Sequence, residues 1–453
     1  MVQRLAGLAL LLAWVWMPLE AQSTQELKQQ IQELREKLES LDQKLEASIR
    51  HEEIVEHEAE AKAKAMPSVA ADNSAGLTVK SADGDFSIRF GADLQIDNRT
   101  FLGSSSVPLT DDILARRVRP TVSGTVFRYV DYYVRPDFGQ GTVVLFDAYA
   151  QLNYFSRANL RVGKFKPPVG LERLQSDDDT NFIERGLPTL LVPSRDIGYQ
   201  VSGDLIKQRI AYQVGVFNGV SDNSLSDGSV SDHRDYAGRI FLTPFLPENN
   251  IFLSGLGIGI GATGGNVDGI PLPVYRTFGQ NAFFTFAPGV VYSGHRTRLA
   301  PQTYYYAGPF GVLAEYTLAE EGFQKGLVRR DIGIRSWQVQ TTYLLTGEKK
   351  GFGPLAPRRN FDPANHGWGA VELAVRVSDF NMEPGIYNYG FASETISPRR
   401  AHEWVGGVNW YLNRAVRISL DYGNTNFEGG AVAALGGNRP SERALLQRFQ
   451  FNY

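Results

Sequence analysis

Arginines and carboxylates, rather than any nucleophile, are the groups with which this chain could do chemistry. Between positions 166 and 196, Lys166, Arg173, Arg185 and Arg195 are interleaved with Glu172, Asp177, Asp178, Asp179, Glu184 and Asp196. A planar guanidinium grips carboxylate or phosphate oxygens through two parallel hydrogen bonds, which lysine cannot do. The preference is general, since 31 of the 38 basic residues in 67–453 are arginine. Mixed signs on one segment can also set a transverse field across a narrow passage, basic groups lining one wall and acids the other. A site strongly specific for phosphate would need a basic cluster with few acids, and Asp177, Asp178 and Asp179 argue against one.

Covalent chemistry finds little support. There is no cysteine, hence no thiol, disulfide or lipid-bearing N-terminal Cys. Of six histidines, His51 and His57 fall in a helical stretch, and His233, His295, His366 and His402 have no Ser or carboxylate at a spacing that suggests a triad or a zinc site. Gly259, Gly261 and Gly264 match G-x-G-x-x-G, but the following residues, 264–269, are turn formers and not the helix that a dinucleotide fold requires. No enzyme, metal or cofactor is expected. Gly255, Gly257, Gly259 and Gly261 instead recur at period 2 and would give a strand one smooth face, against which an inserted loop could lie close.

The elements that must carry these residues are strands. Positions 86–96 alternate Phe86, Ile88, Phe90, Ala92, Leu94 and Ile96 with Ser87, Arg89, Gly91, Asp93 and Gln95, and 371–377, 416–422 and 445–453 repeat the pattern. A strand apolar on one face, polar on the other and aromatic at the chain terminus suits a barrel between lipid and a wet lumen. No apolar run after the N-terminus approaches the ~20 residues of a membrane helix. Alternation marks sixteen strands, three of them at 250–262, 281–293 and 303–316. Long connections fall at 166–196, 218–233 and 425–442 on one end, and an unusually long one, 346–366, on the other. Inward-facing wall residues then include Arg119, Arg135, Arg161, Lys164, Arg376, Arg417 and Arg448. With Lys166, Arg173, Arg185 and Arg195 of the third outer loop, 166–196, they form a candidate path for anions. The competing assignment pairs inward arginines with inward Asp93, Asp147, Glu372 and Asp421 merely to stiffen the barrel.

The N-terminus is different. Residues 1–21 read as a secretory signal peptide, with Arg4 before the apolar 5–16 and Ala21 at the cleavage site. Residues 22–65 form a helix whose Leu27, Ile31, Leu34, Leu38, Leu41 and Leu45 alternate spacings of four and three, a coiled-coil seam. So short a seam needs partners, and identical helices are the first choice. A linker, 66–83, leads to the barrel domain, 84–453. Net charge is −3 overall and +1 over 67–453, which is no balance for binding nucleic acid.

Four segments carry a resemblance: Leu160 to Pro168 (LRVGKFKPP) with Gly170, Leu171 and Glu172; Tyr343 to Glu348 (YLLTGE); Gly367 to Arg376 (GWGAVELAVR); and Gly407 to Asn413 (GVNWYLN). In this order, over about 80–453, they resemble the phosphate-selective porin O and P family of bacterial outer-membrane channels. The resemblance implies a sixteen-stranded homotrimeric porin whose third outer loop folds into the pore; Val371 departs from it where an aromatic is expected. The fold class is thus all-β, a transmembrane antiparallel β-barrel with an N-terminal α-helical coiled-coil extension. The expected activity is passive diffusion of small solutes with weak anion preference, phosphate included. A general or sugar-type porin, and a structural tether using the coiled coil, stay open. Expected partners are outer-membrane lipid, the barrel-assembly machinery at the Tyr453 strand, and the cell wall through the coil. The helix would lie in the periplasm.

Overall fold

The alternation read from the sequence becomes a closed wall. A computed structural model describes residues 24–72, 76–103, 109–155, 157–206, 209–225, 227, 232–246, 253–432 and 436–453. The segment read as a signal peptide lies outside them. Two units are separate: an N-terminal one ending at Met66, which holds helix α1 (Thr24–Ala65), and a second, Pro67–Tyr453. Leu27, Ile31, Leu34, Leu38, Leu41 and Leu45 of α1 are all exposed in the single chain.

The second unit begins with a hairpin, β1 (Ser68–Asp72) and β2 (Gly76–Lys80). Sixteen antiparallel strands follow: β3 (Ser87–Phe101), β4 (Asp112–Val126), β5 (Val130–Asp137), β6 (Val144–Phe155), β7 (Ala158–Phe165), β8 (Asp196–Leu205), β9 (Ile210–Phe217), β10 (Asp235–Leu242), β11 (Leu256–Asp268), β12 (Val290–Ala307), β13 (Phe310–Lys325), β14 (Val328–Leu344), β15 (Ala370–Met382), β16 (Pro398–Tyr411), β17 (Val416–Gly429) and β18 (Glu442–Asn452). Each pairs with its sequence neighbour, and β18 closes on β3 from Ala444 opposite Phe101 to Asn452 opposite Asp93. Closure leaves no edge to aggregate. Leu373, Val375, Trp404, Val408, Ile418, Leu420 and Phe449 face outward and are exposed, whereas Glu372, Arg376, Asn409, Arg417, Ser419 and Arg448 are buried on the inner face. That inversion is the membrane-barrel pattern.

The stretch read as a linker, 66–83, contains the β1–β2 hairpin instead. β3 begins before the point where the C-terminus meets it, and β2 pairs with the surplus, from Leu77 opposite Phe90 to Lys80 opposite Ser87. Backbone groups left unpaired there would be costly, and the alternating 68–72 and 76–80 supply partners.

Sixteen strands is the number that alternation predicts, but the middle ones are shifted. The stretch 281–293 is mostly irregular, because Phe283, Phe284 and Phe286 pack into an aromatic cluster with Tyr275, Phe323 and Phe380. Pro288 and Gly289 (φ 80°) then delay the strand to Val290. A left-handed Gly308 (φ 56°) before Pro309 makes a two-residue turn inside the expected 303–316. The connection 346–366 holds no further strand among its residues, only a short 3-10 turn, Pro363–Asn365.

Candidate functional site

Among the described residues, three long connections fold inward, and residues 220–222 of the β9–β10 connection are buried beside them. The first, 166–195, joins β7 to β8 and carries a helical turn α2 (Leu171–Leu174) and a 3-10 segment, Leu187–Leu191. It is buried along nearly its whole length. The wall holds its backbone directly. Glu315 Oε2 of the wall accepts from Leu171 N at 2.6 Å and Asp421 Oδ2 from Ile183 N at 2.6 Å, while Glu172 Oε2, within the loop, accepts from Gly186 N at 2.9 Å. Arg376, Arg417 and Arg448 donate to the carbonyls of Glu184, Thr180 and Ile183 at 2.8–2.9 Å. Leu187, Leu190 and Leu191 complete an apolar cluster with Tyr275, Phe283 and Phe380. Each such side chain withdrawn from water adds about 1.5–3 kcal/mol, so the loop is fixed in place.

The second insertion, 269–289, joins β11 to β12. Phe278 N donates to Glu403 Oε2 at 2.9 Å, and Thr277 Oγ1 to Glu442 Oε1 at 2.6 Å. The third, 345–369, enters from the end that holds the C-terminus. Its Lys350 Nζ reaches Glu372 Oε1 at 2.6 Å and Asn181 Oδ1 at 2.8 Å, and Gln175 Nε2 donates to Phe352 O at 2.9 Å. This insertion therefore touches the first.

Between the first insertion and the walls lies a cavity of about 300 Å³, lined by Arg99, Arg116, Arg117, Arg119, Arg173, Arg185, Arg195 and Arg276, with Asp137 and Asp177 as the acids among the described residues. Gln280 of the second insertion also lines it. Asp177 sits among the guanidiniums: Arg119 NH1 is 2.5 Å from its Oδ2, Arg185 bonds its Oδ1, and Arg195 and Arg117 lie at 3.8 and 3.9 Å. Burial alone would push Asp177 up, but Arg185, Arg119, Arg117 and Arg195 outweigh it and hold the carboxyl well below its usual range. Glu184 is held low in the same way, burial being outweighed by Arg116, which approaches at 2.7 Å. Bases exceed acids here, so the cavity can receive a small oxyanion.

A second cavity, of about 340 Å³, opens at the end that holds the C-terminus. Arg89, Lys350, Arg414 and Arg417 line it with Asp178, Asp179 and the terminal Tyr453. Its signs are mixed. Arg135 NH2 is 3.2 Å from Asp178, and burial together with Asp178 pushes Asp179 up to about 6.

The residues singled out from the sequence separate into groups. Arg119, Arg173, Arg185 and Arg195 meet in the arginine cavity. Arg376, Arg417 and Arg448 are almost wholly buried and tie the first insertion to the wall, and Arg448 also forms an ion pair with Asp97. Arg135 pairs with Asp178, Lys166 donates to Gln175 O at 2.7 Å, and Lys164 bonds Asp227. Arg161 stacks on Tyr149 at 4.3 Å and bonds Gln151, outside both cavities.

Sequence reading missed Arg99, Arg116, Arg117 and Arg276. Arg117 shares the parity of Arg119, and Arg99 that of Asp93, so alternation alone could have found both. Arg116 has no such signal. Gln95 pairs with Arg117 and Ile96 with Ala115, which leaves Arg116 as the extra residue of a β-bulge. The bulge turns two consecutive arginines inward. Of the glycine face, Gly261 alone meets the loop, where a Cβ would stand 3.2 Å from Pro168 O; Gly257 and Gly259 lie instead under the wall rings of Phe241 and Tyr304, and Gly255 precedes β11 beside the Tyr306 backbone.

Comparison with known proteins agrees with this architecture. Porin O of Pseudomonas aeruginosa is 26% identical over 381 residues, 77% of this chain and 84% of that protein. The outer membrane channel DcaP of Acinetobacter baumannii superposes with a TM-score of 0.56 at 10% identity, covering 83% of this chain and 99% of that one. An anion-selective porin from Comamonas acidovorans does so with 0.51 at 10% identity, covering 81% and 100%. The family model described as phosphate-selective porin O and P matches residues 88–257 and 284–453, both halves of the sixteen-stranded wall, and the chain belongs to that family of outer-membrane porins, a channel and not an enzyme.

Proposed function

We propose that this porin passes small anions, phosphate among them, with a weak preference over cations. One observation carries the reading: among the described residues, eight arginines and two acids line a single lumen cavity. A water-filled passage concentrates the ion opposite in sign to its walls. The preference is weak because the cavity beyond it mixes Arg89, Lys350, Arg414 and Arg417 with Asp178 and Asp179. The anion-selective porin from Comamonas acidovorans has the same fold. The path runs along Arg99, Arg116, Arg117, Arg119, Arg173, Arg185 and Arg195, whereas Arg376 and Arg448 shape it by holding the loop, and Arg417 both holds the loop and lines the second cavity. The end with the C-terminus faces the periplasm.

Single-channel recording in planar bilayers under a KCl gradient, with and without phosphate, tests this. A reversal potential on the anion side with phosphate blocking chloride current is the expected result. A reversal potential on the cation side overturns it.

The exposed Leu27-to-Leu45 seam favours an additional role for α1. Three copies of the seam would bury it in a periplasmic coiled coil, stabilising a homotrimer and offering a contact to the cell wall. Deleting 22–66 should leave conductance intact while weakening the trimer. Loss of conductance on that deletion would assign the helix to the channel itself.

A further inference from the structure

Phe146 occupies an inward position that alternation does not supply. Across the β5–β6 pair, Arg135 stands opposite Asp147 and Pro136 opposite Leu145, so Phe146 is the extra residue of a bulge. Pro136 has no N–H to give the ladder, which is where a bulge is tolerated. The consequence is that Phe146 and Asp147 both turn into the lumen and are buried.

There the ring lies between two cations. The guanidinium carbon of Arg119 is 3.5 Å from its centroid and that of Arg195 is 3.7 Å. Two guanidiniums cannot share one face at such heights, so they cover opposite faces, with their carbons about 7 Å apart. Their nearest other partners are carboxylates, and Arg195 NH1 also reaches Ser194 O and Oγ at 3.5 Å. Arg119 Nε is 2.7 Å from Asp137 Oδ2, Arg195 Nε is 3.3 Å from Asp147 Oδ1, and both approach Asp177 Oδ2, at 2.5 and 3.8 Å. The negative faces of the ring offset the repulsion of the two cations and occupy the space through which each could fold further onto an acid.

We propose that Phe146 is a positioning residue for anion preference: it holds Arg119 and Arg195 apart with their N–H edges on the cavity, where one small oxyanion can reach both. The proposal rests on the anion-path reading above. Arg119 already bonds Asp177 and Asp137; without the ring, Arg195 closes from 3.8 Å onto Asp177 and from 3.3 Å more fully onto Asp147, and less positive charge faces the cavity.

Reversal potentials of the full-length trimer under a KCl gradient decide it, read beside single-channel conductance. Phe146→Leu fills much of the space but has no π face, and should lower the chloride-to-potassium permeability ratio about threefold, at little cost in conductance. Phe146→Tyr should restore the ratio. A ring-trifluorinated phenylalanine at position 146 keeps the shape and drains the faces, so it should fall as leucine does, and it decides the matter if Phe146→Leu does not fold. If the trifluorinated ring behaves as native phenylalanine, Phe146 is filler and the proposal is wrong, while the anion path stands. If the native channel shows no anion preference, both fall together.

Discussion

Arg448 on the last strand and Asp97 on the first, 351 residues apart, meet in a fully buried two-pronged ion pair, Nε to Oδ1 at 2.6 Å and NH2 to Oδ2 at 2.7 Å. The same guanidinium donates to Ile183 O of the first inserted loop at 2.8 Å. One side chain thus closes the barrel and anchors the insertion. Removing Asp97 leaves buried Arg448 with the more distant Glu184, at 3.7 Å, as its carboxylate, and breaking a buried pair in this way costs about 3–5 kcal/mol. Asp97→Ala should therefore lower the stability of the refolded barrel in urea by that amount. The double variant Asp97→Leu with Arg448→Met should recover part of it, because it strands no charge. Equal midpoints for Asp97→Ala and native protein would remove this pair from the account of closure.

Lys350 holds the third insertion against the wall through Glu372 and against the first insertion through Asn181. Lys350→Met leaves Glu372 with only the donors Asn409 and Tyr411. An under-satisfied buried acceptor costs about 1–3 kcal/mol, and the segment 345–369 loses its contact at Asn181. Open-channel noise should rise, and mean conductance with it, as the insertion moves out of the lumen. A quiet channel of native conductance would mean that Phe352 and Leu355 hold the turn by packing alone.

Much of this architecture can be read without coordinates, and the misses have physical causes. Period-2 alternation identifies sixteen strands because a membrane barrel must be apolar outside and polar inside all the way round. It misplaces the stretch 281–293, since three phenylalanines packed inside a loop and three facing lipid look alike in sequence. The site is less legible than the wall. A bulge puts Arg116 beside Arg117, and another puts Phe146 beside Asp147, and neither can be deduced from parity. Nor does an inward arginine announce its task. Arg119 and Arg376 have the same pattern around them, yet Arg119 lines a cavity while Arg376 lies behind the loop, on Glu403 and the Glu184 carbonyl.

Gly261 marks where the first insertion touches β11. A Cβ there would stand 3.2 Å from both Pro168 O and Val169 Cα, backbone that cannot swing aside. Gly261→Val should therefore destabilise the barrel by about 1–3 kcal/mol through overpacking, and lower conductance by pressing the root of the loop inward. At Gly264, three residues on, a Cβ would have nothing within 4 Å of it, so Gly264→Val is the control and should conduct normally. If the two variants behave alike, the contact at Gly261 does not set the position of the loop.

Asp179 makes the preference depend on pH. Its carboxyl faces the cavity at the C-terminal end, and burial, reinforced by Asp178, pushes it up to about 6 against the pull of Arg417, Lys350 and Lys166. Asp177, Asp178 and Glu184 are all held low against their burial by arginines and stay ionised in this range. An aspartate raised in the fold binds a proton between about pH 4 and pH 6 that the unfolded chain has released, so its contribution to stability declines as pH rises through that window. The same proton removes one negative charge from the passage. Anion preference should accordingly be higher at pH 5 than at pH 7.5, with the change centred near pH 6. One unit charge about 10 Å away in water is worth ~0.4 kcal/mol, or about twofold in the permeability ratio. Asp179→Asn should hold the ratio at its acid value at every pH. A native channel whose reversal potential does not move between pH 5 and 7.5, or an Asp179→Asn channel that still titrates, would place the sensitive group elsewhere.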